Sequence, residues 1–328
     1  MNCRRDFLRN ISLLSVGGLL TGNTRLAGAV NHSVVSAVAT SKALGLQIYS
    51  VQRELFSDIS KGLRTLKDMG YAKLELAGYN SGKIGNIEIM EFKKMVEDAG
   101  LIIVSSHDNP VITGQSGMVS GQEQDFPRYT KETLSQVKEY WKVSAADHAK
   151  LGCKYLIQPM MPAVNTHADA SLVCEFFNEA GKICKEAGLM FGYHNHHFEF
   201  NRVVKPEDVD KRTSPWQTKG DQIMDLFIAG TDPSLVTFEL DVYWTVRGGN
   251  DPLEYLKKHP KRIEVVHIKD TAVLGQSGLL NFENIFNQMF VNNIKDYFVE
   301  LERMPDRRPQ FEGVKECADY LQKAAFVK

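Results

Sequence analysis

Carboxylates and imidazoles collect in four short stretches: Tyr193-His194-Asn195-His196-His197-Phe198-Glu199, Glu239-Leu240-Asp241-Val242-Tyr243-Trp244, His267-Ile268-Lys269-Asp270 and Glu300-Leu301-Glu302-Arg303. Each lies at the end of an apolar run that reads as a strand. Earlier runs end in the same way, near Glu75, at Ser105-Ser106-His107-Asp108 and at Gln158. A single His or Glu at a strand end is ordinarily a hydrogen-bonded structural residue. Several from successive strands form a different object. Brought together away from water, the carboxylates would repel one another and lose their hydration. A divalent cation removes that penalty. Mixed Asp, Glu and His donors suit Mn²⁺, Mg²⁺, Co²⁺ or Zn²⁺, and the absence of thiolates argues against a structural zinc.

The elements that must position these residues alternate strand and helix. Strands are expected at Leu44–Tyr49, Ala72–Leu76, Leu101–Ser106, Lys154–Gln158, Met190–His194, Val236–Leu240, Ile263–Ile268 and Tyr297–Leu301. Helical spacing is expected at Glu54–Met69, Ile87–Ala99, Lys131–Leu151, Ala168–Ala187, Gln222–Ile228, Pro252–Lys258, Phe282–Phe290 and Gly313–Ala324. Apolar runs without alternation fit parallel strands covered on both faces. Eight strand-then-helix units predict an α/β fold of the (β/α)8 TIM-barrel class, which takes about 250 residues. Strand C-termini converge on one mouth of such a barrel, where active sites are built, while its interior is expected to be apolar. No Gly-x-Gly-x-x-Gly follows the first strand, which disfavours dinucleotide binding. Two long connections, Asp108–Thr130 and Asn201–Lys219, fall on the strand C-terminal side and predict a lid or substrate rim.

The N-terminus reads as an address. Arg4-Arg5 precede Phe7-Leu8, the apolar run Ile11–Leu20 follows, and Ala27-Gly28-Ala29 and Ala37-Val38-Ala39 offer small-residue cleavage sites. The paired arginines resemble a twin-arginine export signal. The expected organisation is therefore 1–40 as signal and linker and 41–328 as one barrel domain, located in the periplasm. The apolar run is too short to span a bilayer, so no stable membrane insertion is expected after signal removal. With 39 Lys+Arg against 40 Asp+Glu the formal charge is −1, which gives no electrostatic footprint for nucleic acid. The five cysteines match no zinc module, and Cys153, Cys174 and Cys184, in apolar strand or helix patterns, read as small buried hydrophobes.

The stretches Gly192–Phe200, Phe238–Trp244, Val266–Asp270 and Phe298–Glu302 resemble the xylose isomerase-like barrel superfamily, which contains sugar isomerases, ketose 3-epimerases and inosose dehydratases. The resemblance implies one divalent metal ion, with Mn²⁺ ahead of Mg²⁺, Co²⁺ or Zn²⁺. Its ligands would be Glu199, Asp241, His267 and Glu300. Glu302 is the rival for the last place. Glu239 shares strand parity with Asp241 but lies deeper, and reads as structural. The implied chemistry is proton abstraction next to a sugar carbonyl with Lewis-acid stabilisation of an enediolate. Glu199 and Glu300 would remove and return the proton. His107, His194, His196 and Lys269 would line the rim as substrate contacts or as an alternative acid, and Trp244 and Tyr49 would offer apolar faces to a sugar ring.

The expected partner is a small unphosphorylated carbohydrate, because the chain has no Gly-rich phosphate loop and carries an export-type N-terminus. A homo-oligomer is compatible with this reading. The alternative on the same metal site is a 3-keto-glycoside lyase or dehydratase. The histidine-dense segment 194–197 resembles relatives that eliminate from oxidised sugars: elimination starts with the same proton removal, then expels a β leaving group that the extra histidines would protonate. A non-catalytic carbohydrate-binding barrel is the alternative of another class. An abasic-site endonuclease would need more metal ligands and a basic groove.

Overall fold

The eight apolar runs form eight parallel strands that close on themselves. They are β1 (Leu44–Gln47), β2 (Tyr71–Leu76), β3 (Ile102–His107), β4 (Tyr155–Gln158), β5 (Met190–His194), β6 (Val236–Asp241), β7 (Ile263–Ile268) and β8 (Asp296–Val299). Around the barrel the order is sequential, and Leu46 of β1 pairs with Val299 of β8 to complete the ring. The architecture is that of a (β/α)8 barrel. The computed structural model describes residues 42–112, 126–204 and 219–328. The N-terminal segment expected to be an export signal and most of the two long connections lie outside the described residues.

Helices follow the strands: α1 (Ile59–Asp68), α2 (Ile89–Asp98), α3 (Leu134–Leu151), α4 (His167–Glu186), α5 (Ile223–Gly230), α6 (Val242–Arg247), α7 (Pro252–Lys258), α8 (Phe282–Val291) and α9 (Gln310–Lys323). Their apolar faces pack on the outer faces of the strands and bury residues such as Leu63, Phe92, Trp141, Phe177, Phe286 and Leu321. Two departures from the sequence pattern have local causes. The helix expected from Glu54 is split, because the Asp58 side chain accepts from Lys61 N at 3.1 Å and starts α1 afresh. Helix α6, which the pattern did not show, starts directly from β6, where Asp241 accepts from Trp244 N at 2.7 Å. The stretch between β2 and α2 also holds a small antiparallel sheet of Tyr79–Asn80, Lys83–Ile84 and Ile87–Glu88.

Closure of the barrel depends on Gly45. A Cβ there would stand 2.2 Å from the Tyr297 carbonyl oxygen and 2.7 Å from the Phe298 ring. Gly152 ends α3 with φ +88°, a conformation that side chains resist.

The interior corrects the expectation of a wholly apolar filling. Val265 and Phe298 belong to an apolar interior cluster with Val104, Tyr155 and Ile157. Two residues further along β7, and just beyond β8, stand His267 and Glu300. Side chains two apart share a face, so the interior turns from apolar to polar towards the strand C-termini. Gln47, Glu75, Ser105, His194, Glu239, Asp241 and His267 are all buried there, whereas Gln158, one residue past the interior Ile157, faces outward and accepts from Tyr129 Oη.

Candidate metal centre

Register sets the depth of each polar group. Asp241 pairs with His267, and Glu239, one layer lower on β6, pairs with His194. Gln47 pairs with Glu75, and Glu75 with Ser105. The result is an outer and an inner cluster that share two histidines. Ligand atoms of His194, Asp241, His267 and Glu300 all lie within 4.8 Å of one another, as do those of His107, His194, Glu239 and His267.

In the outer cluster, Asp241 Oδ1 is taken by the α6 amide, while its Oδ2 is buried without a hydrogen-bond partner. Asn195 Oδ1 accepts from the Asp241 amide at 3.1 Å and fixes that backbone. Glu300 follows β8, and its Oε2 accepts from Lys269 Nζ at 3.0 Å and lies 3.0 Å from His267 Nδ1. Lys269 also donates to Glu302 Oε1 at 2.6 Å, and its Nζ stands 5.0 Å from the Trp244 ring centroid.

Burial opposes charge on every group here, and neighbours decide the outcome. Burial pushes Asp241 up to about 7, against the pull of Lys269. Glu300 is also desolvated, yet Lys269 and His267 hold it well below the usual carboxylate range. Burial lowers His194 to about 4, which leaves a neutral imidazole suited to ligation. His267 is desolvated too, but Glu239 and Glu75 hold it well above its ordinary range.

The donor set fits a cation. Glu75, Glu199, Glu239, Asp241 and Glu300 are buried, and among the described residues Lys269 is the buried lysine that faces them. The orphaned Asp241 Oδ2, the neutral His194 and the nearby Glu300 and His267 make a mixed oxygen and nitrogen cage of the kind Mn²⁺, Co²⁺ or Zn²⁺ takes.

The structure brings together three of the four expected ligands, Asp241, His267 and Glu300, and adds His194 from β5. Glu199 stands outside this group. It is held by the turn after β5, with Oε1 accepting from Tyr193 Oη at 2.5 Å and Oε2 from His196 N at 2.9 Å. Burial pushes it up to about 7, and Asp241 adds to the shift. His107 lies in the inner cluster, its Nε2 2.7 Å from Glu239 Oε2, deeper than a rim position. The His196 ring sits 4.9 Å from that of His194 and 5.6 Å from that of Trp244. Tyr49 lies in the turn after β1, 51% exposed, where burial of part of its ring and the carboxylates of Glu302 and Glu300 raise its pKa. Sequence reasoning assigned no role to Gln47, whose Nε2 donates to Glu75 Oε2 at 2.9 Å. The signal was there: an amide closes the otherwise apolar run Leu44–Leu46. The four described cysteines, Cys153, Cys174, Cys184 and Cys317, are buried free thiols.

The family model described as xylose isomerase-like TIM barrel matches residues 63–324. Over 281 residues the chain is 23% identical to the inosose dehydratase of Bacillus cereus (strain AH820), an alignment covering 77% of this chain and 88% of that protein. A crystal structure described as a sugar phosphate isomerase/epimerase from Parabacteroides distasonis ATCC 8503 is 59% identical. It covers 88% of this chain and 100% of its own, with a TM-score of 0.80. The structure of an L-ribulose 3-epimerase superposes with a TM-score of 0.62 at 15% identity, covering 85% of this chain and 93% of that one, a likeness of fold alone. The relatives are enzymes that isomerise, epimerise or dehydrate sugars and inososes. Since the model runs through most of the barrel, the chain belongs to the xylose isomerase-like TIM barrel family.

Proposed function

We propose that this protein is a divalent-metal-dependent isomerase or epimerase of an unphosphorylated sugar, acting by removal of a proton next to a carbonyl. The observation that carries the reading is the buried outer cluster, whose four ligand atoms lie within 4.8 Å of one another at the strand C-termini. His194, Asp241, His267 and Glu300 would hold the cation, which when bound supplies Lewis-acid stabilisation of negative charge on the substrate oxygens.

Glu199 is the base. It is rigidly held by Tyr193 and the His196 amide, and its pKa of about 7 lets it take and give a proton near neutrality. Glu300 is the second carboxylate. Lys269 and His267 keep it ionised, so its duty is to hold the cation, and the proton that Glu199 takes is the one Glu199 gives back. Trp244, His196 and Tyr49 offer the ring faces and polar edges that would orient the sugar.

A second reading, elimination from a keto sugar, is favoured by the inosose dehydratase relatives. It shares the first proton removal and ends by expelling a β substituent. We further propose export through the Arg4-Arg5 signal, which supports an unphosphorylated substrate; the N-terminus of the protein recovered from the periplasm tests it.

The experiment incubates Mn²⁺-loaded protein with free ketoses and with 3-keto-glycosides in D₂O. Isomerised sugar carrying deuterium at the carbon beside the carbonyl supports the isomerase reading. Released aglycone supports elimination. Sugar binding that survives Glu199→Gln, with turnover of neither substrate class, would support a binding protein.

A further inference from the structure

We infer that Glu239 is a positioning residue: from one layer below the outer cluster, its single carboxylate fixes the rings of three histidines and so decides which nitrogens His194 and His267 present to the cation. The inference rests on the metal reading above. Glu239 Oε2 lies 3.0 Å from His194 Nδ1, 3.2 Å from His267 Nε2 and 2.7 Å from His107 Nε2. His267 is thereby spanned. Its Nε2 faces Glu239 and Glu75, the latter at 2.5 Å, while its Nδ1 faces Glu300 at 3.0 Å. His194 has Nδ1 committed to Glu239, which leaves Nε2 for the outer cluster.

A carboxylate that takes the far N–H of a ligating imidazole sets its tautomer and its ring plane. Here Glu239 does so for His194 and shares the task with Glu75 at His267 Nε2, and the close ring contacts, one stacked and one edge-on, propagate the constraint. The His107 and His267 centroids are 5.2 Å apart with planes 11° from parallel, and those of His194 and His267 are 4.6 Å apart. A valine at position 239 would fill the interior in the ordinary barrel manner without burying charge. The buried Glu239, with its Oε1 lacking any partner, is therefore placed for what Oε2 does rather than for packing.

The test uses the full chain and Co²⁺ as probe. Wild type should bind one equivalent, and Glu239→Gln should bind about 10- to 100-fold more weakly with an altered Co²⁺ visible spectrum. Unchanged affinity and spectrum in a folded variant overturn the inference and leave the metal reading standing. Two equivalents in wild type and one in the variant also overturn it, since Glu239 would then be a ligand itself. No Co²⁺ bound by wild type sinks the metal reading first. If the variant does not fold, ¹⁵N imidazole spectra of metal-free wild type decide: His194 must carry its proton on Nδ1, and an Nε2–H tautomer overturns the inference.

Discussion

Lys269 holds its ammonium 3.0 Å from Glu300 Oε2, and the two residues sit at equivalent places on neighbouring strands, just beyond the ends of β7 and β8. The same ammonium lies 3.9 Å from Asp241 Oδ2. A permanent cation thus stands beside the outer cluster on the side facing Glu302 and Trp244, and it offsets part of the repulsion that a metal would otherwise have to offset alone.

Replacing that cation tests the balance. Lys269→Met should destabilise the metal-free protein by about 3 kcal/mol, because it leaves buried carboxylates without their partner. The stabilisation gained on adding Mn²⁺ should then exceed that of wild type. Thermal unfolding with and without Mn²⁺ reads both effects, and a smaller gain in the variant would contradict the arrangement.

Asp241→Asn removes the orphaned oxygen best placed for ligation. Mn²⁺ affinity measured by calorimetry should fall at least about 100-fold. In wild type, Mn²⁺ at 100 times its dissociation constant should add about 2.7 kcal/mol of stability and raise Tm by roughly 5 °C. The variant should show almost no shift under the same conditions. Chelation of wild type should abolish turnover, and re-addition of Mn²⁺ should restore it.

Glu199 yields a pH signature. Burial raises its folded pKa to about 7, above the ordinary carboxylate value of 4.5. The folded state then binds the proton more tightly than the unfolded chain does. Its contribution to stability is therefore complete below the unfolded pKa and is lost as pH rises through the folded one. Metal-free wild type should lose up to roughly 3 kcal/mol relative to Glu199→Gln across that window. Urea unfolding of both proteins at pH 4.5, 6 and 8 measures it, and parallel curves would refute the assignment. Turnover of the variant should drop by about 10²- to 10⁴-fold.

Gly45→Ala probes closure rather than chemistry. With the new Cβ 2.2 Å from the Tyr297 carbonyl, β1 and β8 must separate. A loss of about 3 kcal/mol or more is expected. Denaturant unfolding should show it as a lower midpoint, and a wild-type midpoint would mean that the two strands have room to spare.

Much of this was legible in the chain. Strands β5 and β7 fall where the apolar runs Met190–His194 and Ile263–Ile268 stand, and α7 falls on its expected span. Strand-end position marks a longer list of polar residues; the family resemblance singles out Asp241, His267 and Glu300 among them, and their ligand atoms converge. Other features had no local signal. Helix α6 begins inside what reads as a strand end, because one side chain, Asp241, serves both as cap and as candidate ligand. The break before α1 needed the Asp58 cap to be weighed against an apolar spacing that runs through it.

The sequence by itself determined the eight strand-helix units and the set of polar residues delivered to one mouth, since both follow from short-range periodicity and from where apolar runs stop. Only the tertiary structure decided depth and partnership. Glu239 and His267, or Glu75 and His107, are far apart along the chain, and their meeting depends on strand register around a closed ring. A shift of one residue in any strand would turn its carboxylate or imidazole out of the barrel. That is why His194 joins the outer cluster and Glu199 stands beside it, a distinction no spacing rule could supply.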